Sequence, residues 1–157
     1  MDALADAGGA HDEAEDWPQA RAALQRAYSL APTEPLVLNY LGYAQLERRE
    51  NMAEAERLVR EAHRLAPDNA AITDSLGWAL FLKGELAEAI QLLEQAAEGE
   101  PADVEINEHL GDAYFAAGRR IEARFAWKAA LVYAEGAAAT RLGAKIESGL
   151  TRELAAR

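Results

Sequence analysis

Three histidines, no cysteine and few hydroxyl side chains narrow the chemistry this chain could carry. His11, His63 and His109 each stand alone. None makes the His-x3-His spacing that sets two imidazoles on one helical face, so no metal site is expected. Without cysteine there is no disulfide, thiolate nucleophile or zinc–sulfur centre. No serine sits in a G-x-S-x-G turn, the strained elbow that exposes a nucleophile. The glycines are scattered and match neither phosphate-binding motif, so no nucleotide cofactor is expected. Carboxylates are abundant, but a catalytic pair needs burial and close approach, which spacing alone does not supply. The expectation is a chain with no catalytic residues, no cofactor and no metal.

The elements that must position these side chains are helices. The chain has 157 residues, half of them apolar and only five of them proline. That composition favours helix, and the length is enough for one domain with its own core. The net charge of −11 argues against nucleic acid and anionic membrane surfaces, which both select basic patches. No run approaches the 18 or so apolar residues of a membrane span. The opening stretch "MDALADAGGAHDEAEDW" has neither a basic n-region nor an apolar h-region, so no signal peptide is expected there. A piece of a longer protein would read the same way, and bacterial cytoplasm and periplasm both remain open.

Internal periodicity organises the chain. Glycine recurs at Gly8, Gly42, Gly77 and Gly111, at intervals of 34, 35 and 34. Two alanine columns follow the same rhythm: Ala20, Ala55, Ala89, Ala123 and Ala27, Ala62, Ala96, Ala130. Proline repeats at Pro32, Pro67 and Pro101, and Glu135 breaks the column. Each unit therefore reads as helix, turn, helix, proline stop. First helices are expected near 36–48, 70–82 and 104–117, and second helices near 17–31, 53–66, 86–98 and 120–134. Gly84 and Gly118 suit the turns, with Asn51 as the substitute in the longer "ERREN" turn. Asp68 and Asp103 stand where a side-chain oxygen could cap the next helix.

A unit of this length with the W-x2-L-G-x2-Y signature resembles the tetratricopeptide repeat. "LNYLGYAQ", "TDSLGWAL" and "NEHLGDAY" carry the match, with Leu41, Leu76 and Leu110 before each glycine. The aromatic first position holds Leu38, Thr73 and Asn107 instead, and only Tyr114 keeps the final tyrosine. The stretch is also similar to bacterial tandem-repeat proteins, several of them envelope-associated. The resemblance implies an all-α fold: a right-handed superhelix of antiparallel helix pairs with a C-terminal capping helix. It divides the chain into a degenerate repeat over 1–34, repeats over 35–69, 70–103 and 104–137, and a cap over 138–157. In such pairs the first-helix glycine faces the small residue of the second helix, here Gly77 against Ala89. That close contact offsets the roughly 1 kcal/mol a helical glycine costs. The segment before Trp17 offers Leu4 but little else to bury, so it is expected to fray. Leu142, Ile146, Leu150 and Leu154 give the cap one apolar stripe.

The resemblance also implies that first helices line a concave groove and that a protein or peptide is the partner. Register positions three before, one after and four after each glycine give the candidate protein-binding residues. These are Asn39 and Tyr43, with Leu46 at the third position; Asp74, Trp78 and Phe81; and Glu108, Asp112 and Phe115, with Glu105 extending the strip. Residues 70–103 hold seven acids against one base, whereas 138–157 hold four bases against two acids. A groove rich in acids and aromatics suits a basic segment with an apolar anchor. The plainer alternatives are ordinary inter-helix packing for the aromatics and a solvated face for the acids. A C-terminal carboxylate, which some family members clamp, would meet repulsion from Asp74, Glu108 and Asp112. Self-association through the weak N-terminal unit or the cap stripe, giving a homo-oligomer, is the second reading, and an adaptor excised from a larger protein is the third.

Overall fold

The 34-residue rhythm becomes helix pairs. The computed structural model describes residues 16–151, so Leu4, Gly8, His11 and Leu154 lie outside the described residues. Two compact units result, Met1–Asp68 and Asn69–Arg157. The first contains α1 (Trp17–Leu30), α2 (Pro35–Arg48) and α3 (Met52–Leu65). The second contains α4 (Ala70–Lys83), α5 (Leu86–Gly99), α6 (Val104–Ala116), α7 (Arg120–Tyr133) and α8 (Gly136–Ser148). Among the described residues there is no strand.

The turn inside each pair repeats one hydrogen-bond motif. Glu85 N–H donates to Leu80 O at 2.9 Å and Gly84 N–H to Phe81 O at 3.0 Å. Glu50 and Arg49 do the same to Gln45 and Leu46, and Arg119 and Gly118 to Tyr114 and Phe115. This is the Schellman closure, which needs one left-handed residue. Gly84 (φ 93°) and Gly118 (φ 82°) supply it. In the first unit Arg49 (φ 56°) closes the Schellman motif. Asn51 is also left-handed (φ 46°), because the extra residue of this turn leaves two such positions to fill. The Arg49 guanidinium donates back to Leu46 O at 3.0 Å, which secures the conformation.

Helix starts are capped where the register allows. Asp103 Oδ1 accepts from Ile106 N–H at 2.9 Å, as expected. At α4 the cap is Asn69, accepting from Ile72 N–H at 3.0 Å, and not Asp68, which lies one residue too early. Thr73 and Asn107, which replace the family's aromatic residue, are buried and bond back to Asn69 O and Asp103 O. A polar side chain there ties down its own first turn.

The recurrent glycines sit where helices nearly touch. A Cβ on Gly42 would lie 2.7 Å from Val59 Cγ1 and 3.1 Å from Ala55 O. On Gly77 it would lie 2.8 Å from Leu93 Cγ and 3.4 Å from Ala89 O, and on Gly111 only 2.4 Å from the Trp127 ring. The alanine column is in place, and the tightest neighbour is the larger residue one turn further along the second helix. In the second unit the core runs through Ile90, Leu93, Leu110, Ala113 and Ala126 into Ala123, Trp127, Ala130 and Leu142. Ile146 and Leu150 pack against that second cluster. The described part of the cap stripe, Leu142, Ile146 and Leu150, is therefore turned toward its own core.

Candidate protein-binding site

The candidate acids of the second unit lie on the first helices α4 and α6, and α8 lies where a further first helix would follow. Asp74 on α4 is buried, and its Oδ1 accepts from His109 Nδ1 on α6 at 2.9 Å. The imidazole lies flat on Trp78, with centroids 3.9 Å apart and planes 18° from parallel. Trp78 stacks in turn on Phe81 at 4.7 Å. Burial disfavours the imidazolium, but the Asp74 carboxylate outweighs it, helped by Glu105 and Asp112, and raises the His109 pKa to about 9. A charged imidazole over an indole face gains a cation–π contact as well.

One repeat later the relation recurs with stronger partners. Arg141 on α8 grips Glu108 on α6 with two parallel bonds, Nε to Oε2 at 2.6 Å and Nη2 to Oε1 at 2.7 Å. Lys145 Nζ donates to Glu108 Oε2 at 2.7 Å and to both Asp112 oxygens at 3.0 and 3.1 Å. Trp127 Nε1 on α7 donates to Asp112 Oδ1 at 3.0 Å. Burial pushes the Glu108 carboxyl upward, but the hydrogen bonds from Arg141 and Lys145 overcome it and hold the pKa at about 2. Asp112 shares Lys145 with Glu108, and burial outweighs the pull of Lys145, the more distant His109 and the Trp127 hydrogen bond, so its pKa is raised. Three anions, Asp74, Glu108 and Asp112, thus meet three cations, His109, Arg141 and Lys145. Desolvation of buried charges is repaid only where opposite charges and hydrogen bonds meet in good geometry, and here each acid accepts from a cation at 2.6–3.1 Å.

The candidates therefore divide. Asp74, Glu108 and Asp112 come together but are buried by partners from their own chain, so they are not the solvated groove acids the register suggested. Glu105 is exposed. Trp78 is only 6% exposed and belongs to the packing, whereas Phe81 and Phe115 are half-buried. Phe115 leans on Trp127 at 5.7 Å. In the first unit Asn39 is buried and Tyr43 half-buried on α2, and Asn39 Oδ1 has no hydrogen-bond partner among the described residues. The pairing role of His109, Arg141, Lys145 and Trp127 escaped sequence reasoning. A signal existed: each cation follows its acid by about one repeat, 35 residues for His109 and 33 for Arg141.

A tetratricopeptide-repeat family model matches residues 5–70, and a second TPR-repeat model matches residues 77–118. The chain belongs to the tetratricopeptide-repeat (TPR) family. A TPR repeat-containing protein of Pseudomonas aeruginosa is 37% identical over 76 residues, 48% of this chain and 13% of that relative. The chain thus spans a small part of the curated relative it matches. A mutant O-GlcNAc transferase of Thermobaculum terrenum superposes with a TM-score of 0.69 at 25% identity, over 81% of this chain and 25% of the transferase. MamA structures share the fold at lower identity. The MamA fragment from Desulfovibrio magneticus RS-1 gives a TM-score of 0.63 at 18% identity, covering 76% of this chain and 67% of its own. A second MamA crystal structure gives 0.63 at 21%, covering 90% and 83%. The protein is a TPR solenoid, a scaffold for protein–protein interaction. Among the described residues no helix is long and apolar enough to cross a membrane.

Proposed function

We propose that the first-helix face of the second unit binds a partner segment carrying lysine or arginine beside an apolar anchor, and that the chain is a scaffold rather than an enzyme. One observation carries this reading: the chain's own Arg141 and Lys145 already occupy Glu108 and Asp112 on that face, with Leu142 buried between them. The chemistry the face accepts is thereby on display. The partner-facing candidates on this face are the exposed Glu105 and the half-buried Phe81 and Phe115, beside the buried Asp74, Trp78, Glu108 and Asp112. In the first unit the buried Asn39 and the half-buried Tyr43 occupy the equivalent register on α2. Negative net charge would steer a basic segment and make its association salt-dependent.

The test is a titration of a fluorescent Lys/Arg–Leu peptide against the full chain at low and high salt. Affinity on the order of micromolar is expected, about −8 kcal/mol. Phe81→Ala and Glu105→Lys should each weaken it, and unchanged affinity in both variants would remove this face from consideration. A second reading, self-association, is favoured by a different surface from the cap: Ile121, Phe125 and Val132 form an outward stripe on α7, each about 70% exposed.

A further inference from the structure

The α8 contact is built as a ligand contact, with ionic groups toward α6 and apolar ones toward α7, and a short link joins it to the chain. Its link to α7 is two extended residues, Ala134 (ψ 151°) and Glu135 (φ −136°, ψ 162°), followed by Gly136 at φ 56°. Its recognition elements are compact: Arg141 on Glu108, Lys145 bridging Glu108 and Asp112, and Leu142 fully buried between them. Gly143 reports a difference from the other repeats. The glycines of α2, α4 and α6 are each pressed by a second helix, whereas a Cβ on Gly143 would meet nothing within 4 Å. The contacts described for α8 thus lie on its inner side, toward α6 and α7. It is the terminal rung of a ladder whose inner rung, Asp74 with His109, is fixed between two paired helices.

We infer that α8 is an internal ligand: it fills in cis the acidic seat on α6 that a basic helical segment with Arg and Lys one turn apart would fill in trans, so partner access there is gated by α8 release. This deepens the reading above and rests on it, since it names what regulates that face. A tethered occupant acts at an effective concentration in the millimolar range, so a competitor must overcome that before it binds. Removing the tethered cations removes the competition and leaves two carboxylates in want of partners.

The experiment uses the full chain and a labelled peptide of residues 136–151 as the probe. Binding to the chain carrying Arg141→Gln and Lys145→Gln should be at least about tenfold tighter than to the wild type. It should also raise the variant's melting temperature. The same peptide carrying Arg141→Gln and Lys145→Gln should do neither. If the double change fails to fold, the single change Arg141→Gln leaves Lys145 bridging both acids and should give a smaller gain, about threefold, in the same direction. Equal affinity for wild type and variant, or equal binding of the two peptides, overturns the inference. Because the probe is the chain's own helix, the foreign peptide of the earlier titration can fail while exchange of α8 succeeds, and the reverse outcome is equally readable.

Discussion

Raising the pH should loosen the second unit through one residue, His109. Its folded pKa of about 9 stands above the ordinary 6.5 because Asp74 lies 2.9 Å away, with Glu105 and Asp112 adding to the field. A raised pKa means that the folded state holds the proton more tightly than the unfolded state does. The stabilisation is therefore complete below pH 6.5 and is lost as pH rises through about 9. Each pH unit in that window is worth about 1.4 kcal/mol, so the total loss is on the order of 3 kcal/mol. Urea unfolding of the full chain at pH 6 to 9.5, followed by circular dichroism, would measure it. The slope should be much reduced in Asp74→Asn and absent in His109→Gln. Proton NMR of the His109 ring gives the pKa directly. A ring that titrates at or below its ordinary value, or stability that is level from pH 6 to 9, would refute the assignment of a charged, paired His109.

The glycine register offers a paired prediction. Gly111→Ala should destabilise by about 1–3 kcal/mol, because the Trp127 ring that must give way also donates to Asp112. Gly143→Ala should be neutral or stabilise by up to about 1 kcal/mol, since its added methyl meets nothing and helix propensity favours it. Thermal unfolding of both variants checks this, and equal costs would contradict the account of close helix contact. For the second functional reading, Phe125→Glu should abolish any concentration-dependent dimer in sedimentation, and a dimer that survives it would clear the α7 stripe.

Most of the fold was legible because it follows from local rules repeated in register. Proline stops, turn glycines and the 34-residue columns mark helix ends to within about two residues, and α4 and α7 begin where the register put them. Where caps or turns differed, adjacent polar residues were involved: Asn69 caps in place of Asp68, and Arg49 joins Asn51 in the left-handed region of the longer turn. The candidate site was legible only in part. Register finds which face of a helix Asp74, Glu108 and Asp112 share, but not which side chain from another helix reaches them. Arg141 and Lys145 sit in the segment that departs from the repeat pattern, so no column pointed to them. The one-repeat spacing from acid to cation and the basic excess of 138–157 were the available clues, and only packing shows that α8 brings its cations onto Glu108 and Asp112 of the preceding repeat.

The most direct test of the account is a double-mutant cycle on Glu108→Gln and Arg141→Gln, read by unfolding free energy. If α8 is held on α6 through this buried two-bond pair, the coupling should be about 2 kcal/mol in favour of the pair. A coupling below about 0.5 kcal/mol would mean that the two side chains do not depend on each other, and the self-filled acidic face would have to be abandoned.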